Sequence, residues 1–239
     1  MTTLSETWRA AGIERGGVCL LHASSKRTLR ENKITPQELL ETFLDAVGPD
    51  GTLVLPCFTF KCAHGVPFNL NLPSEMGILG NTALQDGFSR TRHPVYSVAV
   101  RGYKEGYFQD VCPFNAFGPM SAFDVLMGAD AKIGVLDLDE QSSMTTLHHV
   151  EFTVGVSYRA TKTFWSGDTV FRLFVHGDGI ETHVNPMGEL LWEKKLYRGD
   201  RPHVRSGLRT IRARDVFNET ARVIREGRAE GMLYRRVTT

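Results

Sequence analysis

The sequence predicts an α/β fold, a single domain over residues 1–239 with helices on both sides of a largely parallel or mixed central sheet. Apolar runs of strand length alternate along the chain with segments of helical periodicity. Runs that are apolar on both faces are typical of parallel strands covered by helices. With 239 residues, of which 41% are hydrophobic, the chain is long enough to bury one large core.

The best-marked unit is a strand, a crossover helix and a second, parallel strand over residues 18–60. The run VCLLHASS begins it at residue 18, and TLVLPCFTF ends it. Between them, Thr35 is a candidate N-cap, Pro36 occupies the first helical position and Glu38 the third, which predicts a capping box. Leucines and a phenylalanine then follow at helical spacing.

The other elements are less strongly marked. A long excursion without secondary structure is predicted over 61–92, because that segment is rich in Gly, Pro, Asn and Ser. The remaining predictions are a helix at 4–11, a basic loop at 26–33, strands at 95–102, 132–139 and 171–177, and helices at 121–127, 145–154 and 213–228.

Composition excludes several classes of protein. A net charge of +1 argues against a general nucleic-acid binder, and no apolar stretch approaches the length of a membrane span. The N-terminus lacks a secretory pattern and the four cysteines form no regular framework, so we expect a cytoplasmic protein with reduced thiols. We expect no metal site, since the one local cluster, Cys57, Cys62 and His64, begins inside an apolar strand.

The segment SMTTLHHVE, residues 143–151, is the first candidate for chemistry. On a helix His148 and Glu151 share a face, whereas His149 points about 100° away. A carboxylate so placed can accept the proton of one imidazole nitrogen and leave the other free as a base. The spacing alone favours the plainer alternative, an N-capped helix with two histidines and a stabilising Glu.

The second candidate follows the first predicted strand. His22, Ser24, Ser25, Lys26 and Arg27 combine hydroxyls, backbone amides and cations, a suitable seat for phosphate or pyrophosphate. A solvated turn is an equal alternative on these residues alone.

Read in order, five stretches resemble the aminoglycoside 3-N-acetyltransferase family, whose members transfer acyl groups from coenzyme A. They are LLHASS, GTLVLPCFTF, RHPVYSVAVRG, CPFNAFGPMSAFDVL and TTLHHVE with SYR. The resemblance implies that His148 is the catalytic base, with Glu151 as its partner and Thr146 nearby. It also implies direct transfer from acetyl-CoA or another acyl-CoA, without an acyl-enzyme.

The resemblance places cofactor contacts on the same loop and beyond it. His22, Ser24, Ser25, Lys26 and Arg27 would face the cofactor's phosphates. Three further cofactor-side candidates come from the other matching stretches, namely His93, Ser97 and Ser121.

Two departures from the family bear on the acceptor. Asn81 stands where members often have a carboxylate. Residues 191–239 contain 13 Lys and Arg against 6 Asp and Glu, so this section carries +7 and the first 190 residues −6. Such a section would repel a polycation and attract a phosphorylated acceptor. Arg201 and Arg205 lie there in a Gly- and Pro-punctuated stretch, and with Asn81 they are the acceptor-binding candidates.

We therefore expect an N-acyltransferase that acts on a nucleotide-linked amino sugar, as a monomer or homodimer with no nucleic-acid or membrane partner. A true aminoglycoside 3-N-acetyltransferase is the alternative. A non-catalytic binding protein of the same fold is the second alternative.

Overall fold

The computed structural model describes residues 2–201 and 207–237 and confirms the α/β fold class. The strands are β1 (Val18–Ala23), β2 (Thr52–Pro56), β3 (Ser89–Arg90), β4 (Val98–Gly102), β5 (Lys132–Leu136), β6 (Arg159–Ser166), β7 (Thr169–His176), β8 (Ile180–Thr182), β9 (Arg198–Gly199), β10 (Leu208–Arg212) and β11 (Tyr234–Arg236). The helices are α1 (Leu4–Ala10), α2 (Lys26–Asn32), α3 (Pro36–Val47), α4 (Ile78–Gln85), α5 (Ala122–Gly128), α6 (Glu140–Ser143), α7 (Thr146–Val154), α8 (Asn185–Glu193) and α9 (Ala213–Arg225). Short 3-10 helices span Phe60–His64 and Glu105–Phe108.

In these residues the main sheet is mixed, with the strand order β3-β4-β2-β1-β5-β10-β9. At its centre β1 pairs in parallel with both β2 and β5. Antiparallel strands, β4 on one side and β10 on the other, flank this parallel core. Two separate antiparallel pairs, β6 with β7 and β8 with β11, complete the structure.

Alternating side chains of the central strands reach opposite faces of the sheet. Leu21 and Leu53 join a cluster under α1, α3 and α4, whereas their neighbours Leu20 and Val54 join a cluster with residues of α5. A third cluster packs residues of β5 against α7, α8 and α9. The sheet is therefore covered on both faces, as the doubly apolar strand runs predicted.

The predicted strand–helix–strand unit over 18–60 is confirmed. The Thr35 hydroxyl accepts the Glu38 amide at 3.2 Å, and the Glu38 carboxylate accepts the Thr35 amide at 2.7 Å, which is the predicted capping box. The second strand ends at Pro56, earlier than the apolar run suggested.

Two predicted loops contain helices. The basic segment 26–33 forms α2, which has no side-chain cap and buries only Thr28, so it shows no amphipathic pattern. The excursion over 61–92 contains α4 and β3; α4 buries Leu79 and Ala83 in the cluster that also holds α3. Tertiary packing, rather than local propensity, explains both helices.

Several other findings concern the described residues. No helix among them combines the length and apolarity required to cross a bilayer. Their histidines, cysteines and acidic residues form no group arranged to hold a metal ion. The four cysteines are free thiols.

Candidate active site

A cleft lies at the edge of the sheet where the parallel strands β1, β2 and β5 end. One cavity of about 400 Å³ is lined by residues 21–26 at the end of β1 and just beyond it, Leu55 and Pro56 of β2, the 75–80 segment, Leu138 and Ser142. A second cavity, of about 310 Å³, is lined by His148 of α7 and shares Met76 and Ser142 with the first. The two cavities therefore adjoin each other, at the carboxyl ends of parallel strands where open α/β sheets bind ligands.

His148 is paired with Glu151 one helical turn later. The imidazole Nδ1 lies 2.8 Å from Glu151 Oε2. The Glu151 side chain is 1% exposed, whereas that of His148 is 16% exposed and lines the second cavity. Because a carboxylate can only accept, Nδ1 donates its hydrogen and Nε2 carries the free lone pair.

Glu151 is itself held by two residues that follow α7. The Tyr158 hydroxyl donates to Oε1 at 2.8 Å, and Arg159 Nε lies 2.9 Å from Oε2. The Arg159 guanidinium also donates to the Phe174 carbonyl at 3.0 Å and to the Thr182 hydroxyl at 3.2 Å. The carboxylate is thus fixed from two sides, and the imidazole it orients has little rotational freedom.

The electrostatics of this cluster favour a neutral imidazole. Burial and the nearby Arg159 charge lower the pKa of His148, although the bond to Glu151 opposes them. Burial acts to raise the pKa of Glu151, but the hydrogen bond and charge of His148, with Arg159 and Tyr158, bring it below its ordinary value. At neutral pH His148 is therefore an unprotonated base beside an ionised carboxylate.

The structure separates His148 from its neighbours on α7. His149 is buried, and its Nδ1 donates to the Phe117 carbonyl at 2.8 Å. Thr146 is also buried and does not line the cleft, whereas Thr145 does. Thr145 and His148 are three residues apart and therefore lie on the same side of the helix, the side that faces the cleft. The threonine that lines the cleft is thus Thr145, whereas the sequence analysis had named Thr146.

The end of β1, with His22, and the residues that follow it line the first cavity, and ligand binding by this segment stays a prediction. His22 is 1% exposed and neither ring nitrogen has a hydrogen-bond partner in the described residues. Burial, with the Arg209 charge, lowers its pKa to about 3. His22 is consequently neutral and offers hydrogen bonds to an uncharged group rather than a positive charge to a phosphate.

The cations that follow β1 lie on α2 and line a third cavity. Ser24, Lys26, Arg27, Arg30 and Asp137 line this cavity of about 260 Å³, which shares Ser24 and Lys26 with the first. Arg30 lies on α2, and it was not among the candidates because the sequence predicted a loop over 26–33. Ser25 is buried at the start of α2. The three cavities lie next to one another, from the groove lined by Lys26, Arg27 and Arg30 to the cavity lined by His148.

The other three cofactor candidates make internal hydrogen bonds and do not line these cavities. His93 Nδ1 accepts the Val95 and Tyr96 amides at 3.2 and 3.0 Å. The Ser97 hydroxyl donates to the Cys57 carbonyl, and Ser121 caps α5. Cofactor contact by His93, Ser97 or Ser121 stays a prediction. In the structure their side chains hold neighbouring backbone segments in place.

Two acceptor candidates, Asn81 and Arg201, do not line the cavity that contains His148. The Asn81 amide bonds the backbone of Ser74 and Gly77 and so braces the 75–80 segment of the cleft. Arg201 pairs with Glu189 at 2.8 Å and lies over the Trp192 ring. Arg205 lies outside the described residues.

Most of the described cations in the basic C-terminal section make ion pairs. Arg209, a cation of this section, is 1% exposed and pairs with the buried Glu140 at 3.0 Å. The paired cations of this section are Lys194, Arg201, Arg209, Arg212, Arg222, Arg228, Arg235 and Arg236. Four of these cations pair with carboxylates outside the section, namely Asp130, Glu140, Glu181 and Glu189, and these offset four of its seven net positive charges.

Comparison with known proteins agrees with this architecture. The chain is 27% identical over 212 residues to aminoglycoside N(3)-acetyltransferase IV from Salmonella sp, covering 86% of this chain and 79% of the relative. The fold matches AAC-IIIb in a binary complex with CoASH, with a TM-score of 0.79 and 17% identity over 95% of this chain and 96% of the other. It also matches a variant of AAC(3)-IVa in complex with a gentamicin, with a TM-score of 0.71 and 24% identity over 94% and 88% of the two chains.

The model of the aminoglycoside 3-N-acetyltransferase family matches residues 20–224, which include the loop after β1, the cleft and α7. Members of this family are acyl-CoA-dependent N-acyltransferases with acetyl-CoA as co-substrate. The chain belongs to the aminoglycoside 3-N-acetyltransferase family.

Proposed function

We propose that this protein transfers the acetyl group of acetyl-CoA to an amine of an aminoglycoside, with His148 as general base. The observation that carries the proposal is a series of three cavities in which each shares lining residues with the next. They begin at the cationic groove around Lys26 and end at the His148 and Glu151 pair. Such a path suits a ligand that is anionic at one end and reactive at the other.

Different parts of this path suit different parts of the cofactor. Lys26 and Arg27 lie where the cofactor's phosphates would bind, and charge-assisted bonds are the strong contacts available there. Leu21, Leu55 and Leu79 make the middle of the path apolar, suited to the uncharged pantetheine arm. His22, neutral and without a described partner, can bond an amide of that arm.

The reaction requires one base and no covalent enzyme intermediate. The neutral amine nitrogen attacks the thioester carbonyl carbon while His148 Nε2 takes a proton from that nitrogen. Collapse of the tetrahedral adduct breaks the carbon–sulfur bond, and the leaving thiolate takes the proton from the imidazolium. The products are an N-acetylated amine and the free thiol. Glu151 stabilises the transient imidazolium and keeps the required tautomer.

The acceptor assignment rests on the family and on charge. The similar AAC(3)-IVa variant was solved with a gentamicin, which supports an aminoglycoside. The nucleotide-linked amino sugar predicted from the sequence depended on free cations in the C-terminal section, and the ion pairs described above remove much of that support. The nucleotide-linked amino sugar is therefore the competing acceptor in the test.

The test measures release of thiol from acetyl-CoA with gentamicin, apramycin or a nucleotide-linked amino sugar as acceptor. We expect turnover with an aminoglycoside. His148→Ala should lower kcat by about 10²-fold or more without changing the binding of acetyl-CoA. His149→Gln is the matched control and should retain activity, because a glutamine amide can still donate to the Phe117 carbonyl.

Three outcomes would contradict parts of the proposal. Near-normal turnover by His148→Ala would remove His148 as the base. Turnover confined to the nucleotide-linked sugar would overturn the acceptor assignment. Binding of acetyl-CoA with no thiol release from any amine would favour a non-catalytic binding protein.

A further inference from the structure

Helix α4 begins at the first cavity without a side-chain cap. Its N-cap residue is Gly77, which has no side chain that could accept a backbone amide. The amides of Ile78, Leu79 and Gly80 form the first turn and have no acceptor among the described residues. All three residues line the first cavity. Three amide donors and the positive end of the helix dipole therefore lie at the cleft.

Hydrogen bonds hold the start of α4 in place. The Asn81 amide nitrogen donates to the carbonyls of Ser74 and Gly77, both at 3.0 Å, and its oxygen accepts the Ser74 amide at 2.8 Å. The Glu75 amide donates to the Phe58 carbonyl at 2.8 Å. The amides of the first turn are thus fixed before a ligand arrives, so binding to them orders little of the chain.

His22 lines the same cavity and also lacks a partner. Its side chain is 1% exposed, and neither ring nitrogen has a hydrogen-bond partner among the described residues. Buried polar groups are usually hydrogen-bonded, because losing water without gaining a partner costs free energy. A neutral imidazole offers one donor and one acceptor, and a ligand in the cavity would supply the partners for both.

The charges around this cavity favour an uncharged ligand group over a phosphate. Among the described residues that line it, Lys26 is the one Lys or Arg and Glu75 the one acid, so their charges offset each other. His22 adds no charge, since burial lowers its pKa to about 3. Most other lining residues are apolar. An amide on an otherwise apolar chain suits these surroundings, because its carbonyl oxygen accepts from N–H donors without carrying a charge.

We infer that the first turn of α4 and His22 form a binding site for an amide of the pantetheine arm of acetyl-CoA, whose carbonyl oxygen accepts from the helix amides. The inference rests on the proposed acetyl transfer and names the site that holds the middle of its cofactor. Held there, the arm leads from the groove around Lys26 towards the cavity that His148 lines.

The first test removes one amide of α4 and keeps the helix. In Ile78→Pro the ring replaces the N–H, and proline is tolerated at the first helical position. Gly77 has a ψ of −170°, outside the α region that a following proline disfavours. Ile78→Ala is the matched control, because it also loses the side chain but retains the N–H. In calorimetry, CoA should bind about 5-fold more weakly to Ile78→Pro than to Ile78→Ala, as expected for one lost neutral hydrogen bond.

A second ligand distinguishes the arm from the phosphates. Adenosine 3′,5′-bisphosphate carries phosphates on the nucleoside of CoA but has no arm, so its Kd should be the same for both variants. Equal weakening of CoA and of the bisphosphate in Ile78→Pro would show that the helix amides bind phosphate, which would overturn the inference. Equal CoA affinity of the two variants would overturn it as well.

His22→Leu tests the other half of the site. Leucine is similar in size and removes both ring nitrogens, so CoA should bind about 5-fold more weakly. The Tm of the ligand-free protein should not fall, because the described residues lose no hydrogen bond. Unchanged CoA affinity, or a fall in that Tm, would refute His22 as a ligand contact. If the wild-type protein binds CoA but releases no thiol with any aminoglycoside, the proposed function fails, while these binding measurements still decide the site.

Discussion

Replacing Glu151 with glutamine tests whether this carboxylate controls the base. Opposite charges about 4 Å apart attract by about 4 kcal/mol at an effective dielectric constant near 20. Arg159 also pairs with the Glu151 carboxylate, and the proton is only partly transferred to His148 in the transition state. We therefore expect Glu151→Gln to lose half of this attraction energy, ~2 kcal/mol. That corresponds to a loss of about 30-fold in kcat/KM.

The geometry also predicts which way the glutamine amide lies. His148 Nδ1 donates at the position of Oε2, and the Arg159 guanidinium lies 2.9 Å from the same oxygen, so the amide oxygen must occupy that position. The amide nitrogen then faces the Tyr158 hydroxyl, which can turn to accept. The imidazole tautomer is thereby retained, and Glu151→Gln should be less damaging than Glu151→Ala, for which we expect about 10³-fold.

The assay is the pH dependence of kcat/KM for thiol release, with thermal unfolding to verify that each variant is folded. Because Glu151 raises the pKa of His148 and Arg159 lowers it, the acid limb should move to lower pH in Glu151→Gln and to higher pH in Arg159→Met. A glutamine variant with wild-type kcat/KM and an unmoved acid limb would refute the role of Glu151. A glutamine variant as impaired as Glu151→Ala would refute the retained tautomer.

Three further predictions concern the cofactor and stability. Lys26→Gln should raise the KM for acetyl-CoA by about 5-fold at low salt, with Arg225→Gln, exposed on α9, as the control; equal effects would remove Lys26 from the cofactor groove. Glu140→Gln should lower the free energy of unfolding by about 3 kcal/mol in a urea titration, because Arg209 is left buried without its carboxylate; a change below about 1 kcal/mol would contradict this. Burial lowers the pKa of His93 to about 4, so its contribution to stability is lost as pH falls from 6.5 towards 4, and His93→Asn should flatten that fall in urea titrations at several pH values.

Patterns that act locally were predictable from the sequence. The capping box at Thr35 and Glu38 and the apolar strand runs depend on neighbouring residues, and both are confirmed. The pairing of His148 with Glu151 follows from helix periodicity in the same way. These features need no knowledge of the rest of the fold.

Features set by distant residues were not predictable. Arg159 reaches Glu151 only because the β6–β7 hairpin folds back on α7, and no spacing rule indicates that contact. The basic C-terminal section suggested a phosphate site, yet several of its cations pair with carboxylates remote in sequence, such as Asp130 and Glu181. Net charge over a segment counts side chains without showing which of them are paired.

The hairpin of β6 and β7 stands outside the main sheet, yet it contributes the cation beside the proposed base. Arg159 begins β6, bonds the Phe174 carbonyl of β7, and lies with its guanidinium 5.7 Å from the Phe174 ring centre. Any substitution that shifts the docking of this hairpin therefore alters the proton affinity of His148 without touching the cleft. The β6–β7 hairpin can therefore change the pKa of His148 while the parallel strands beneath the cleft remain unchanged.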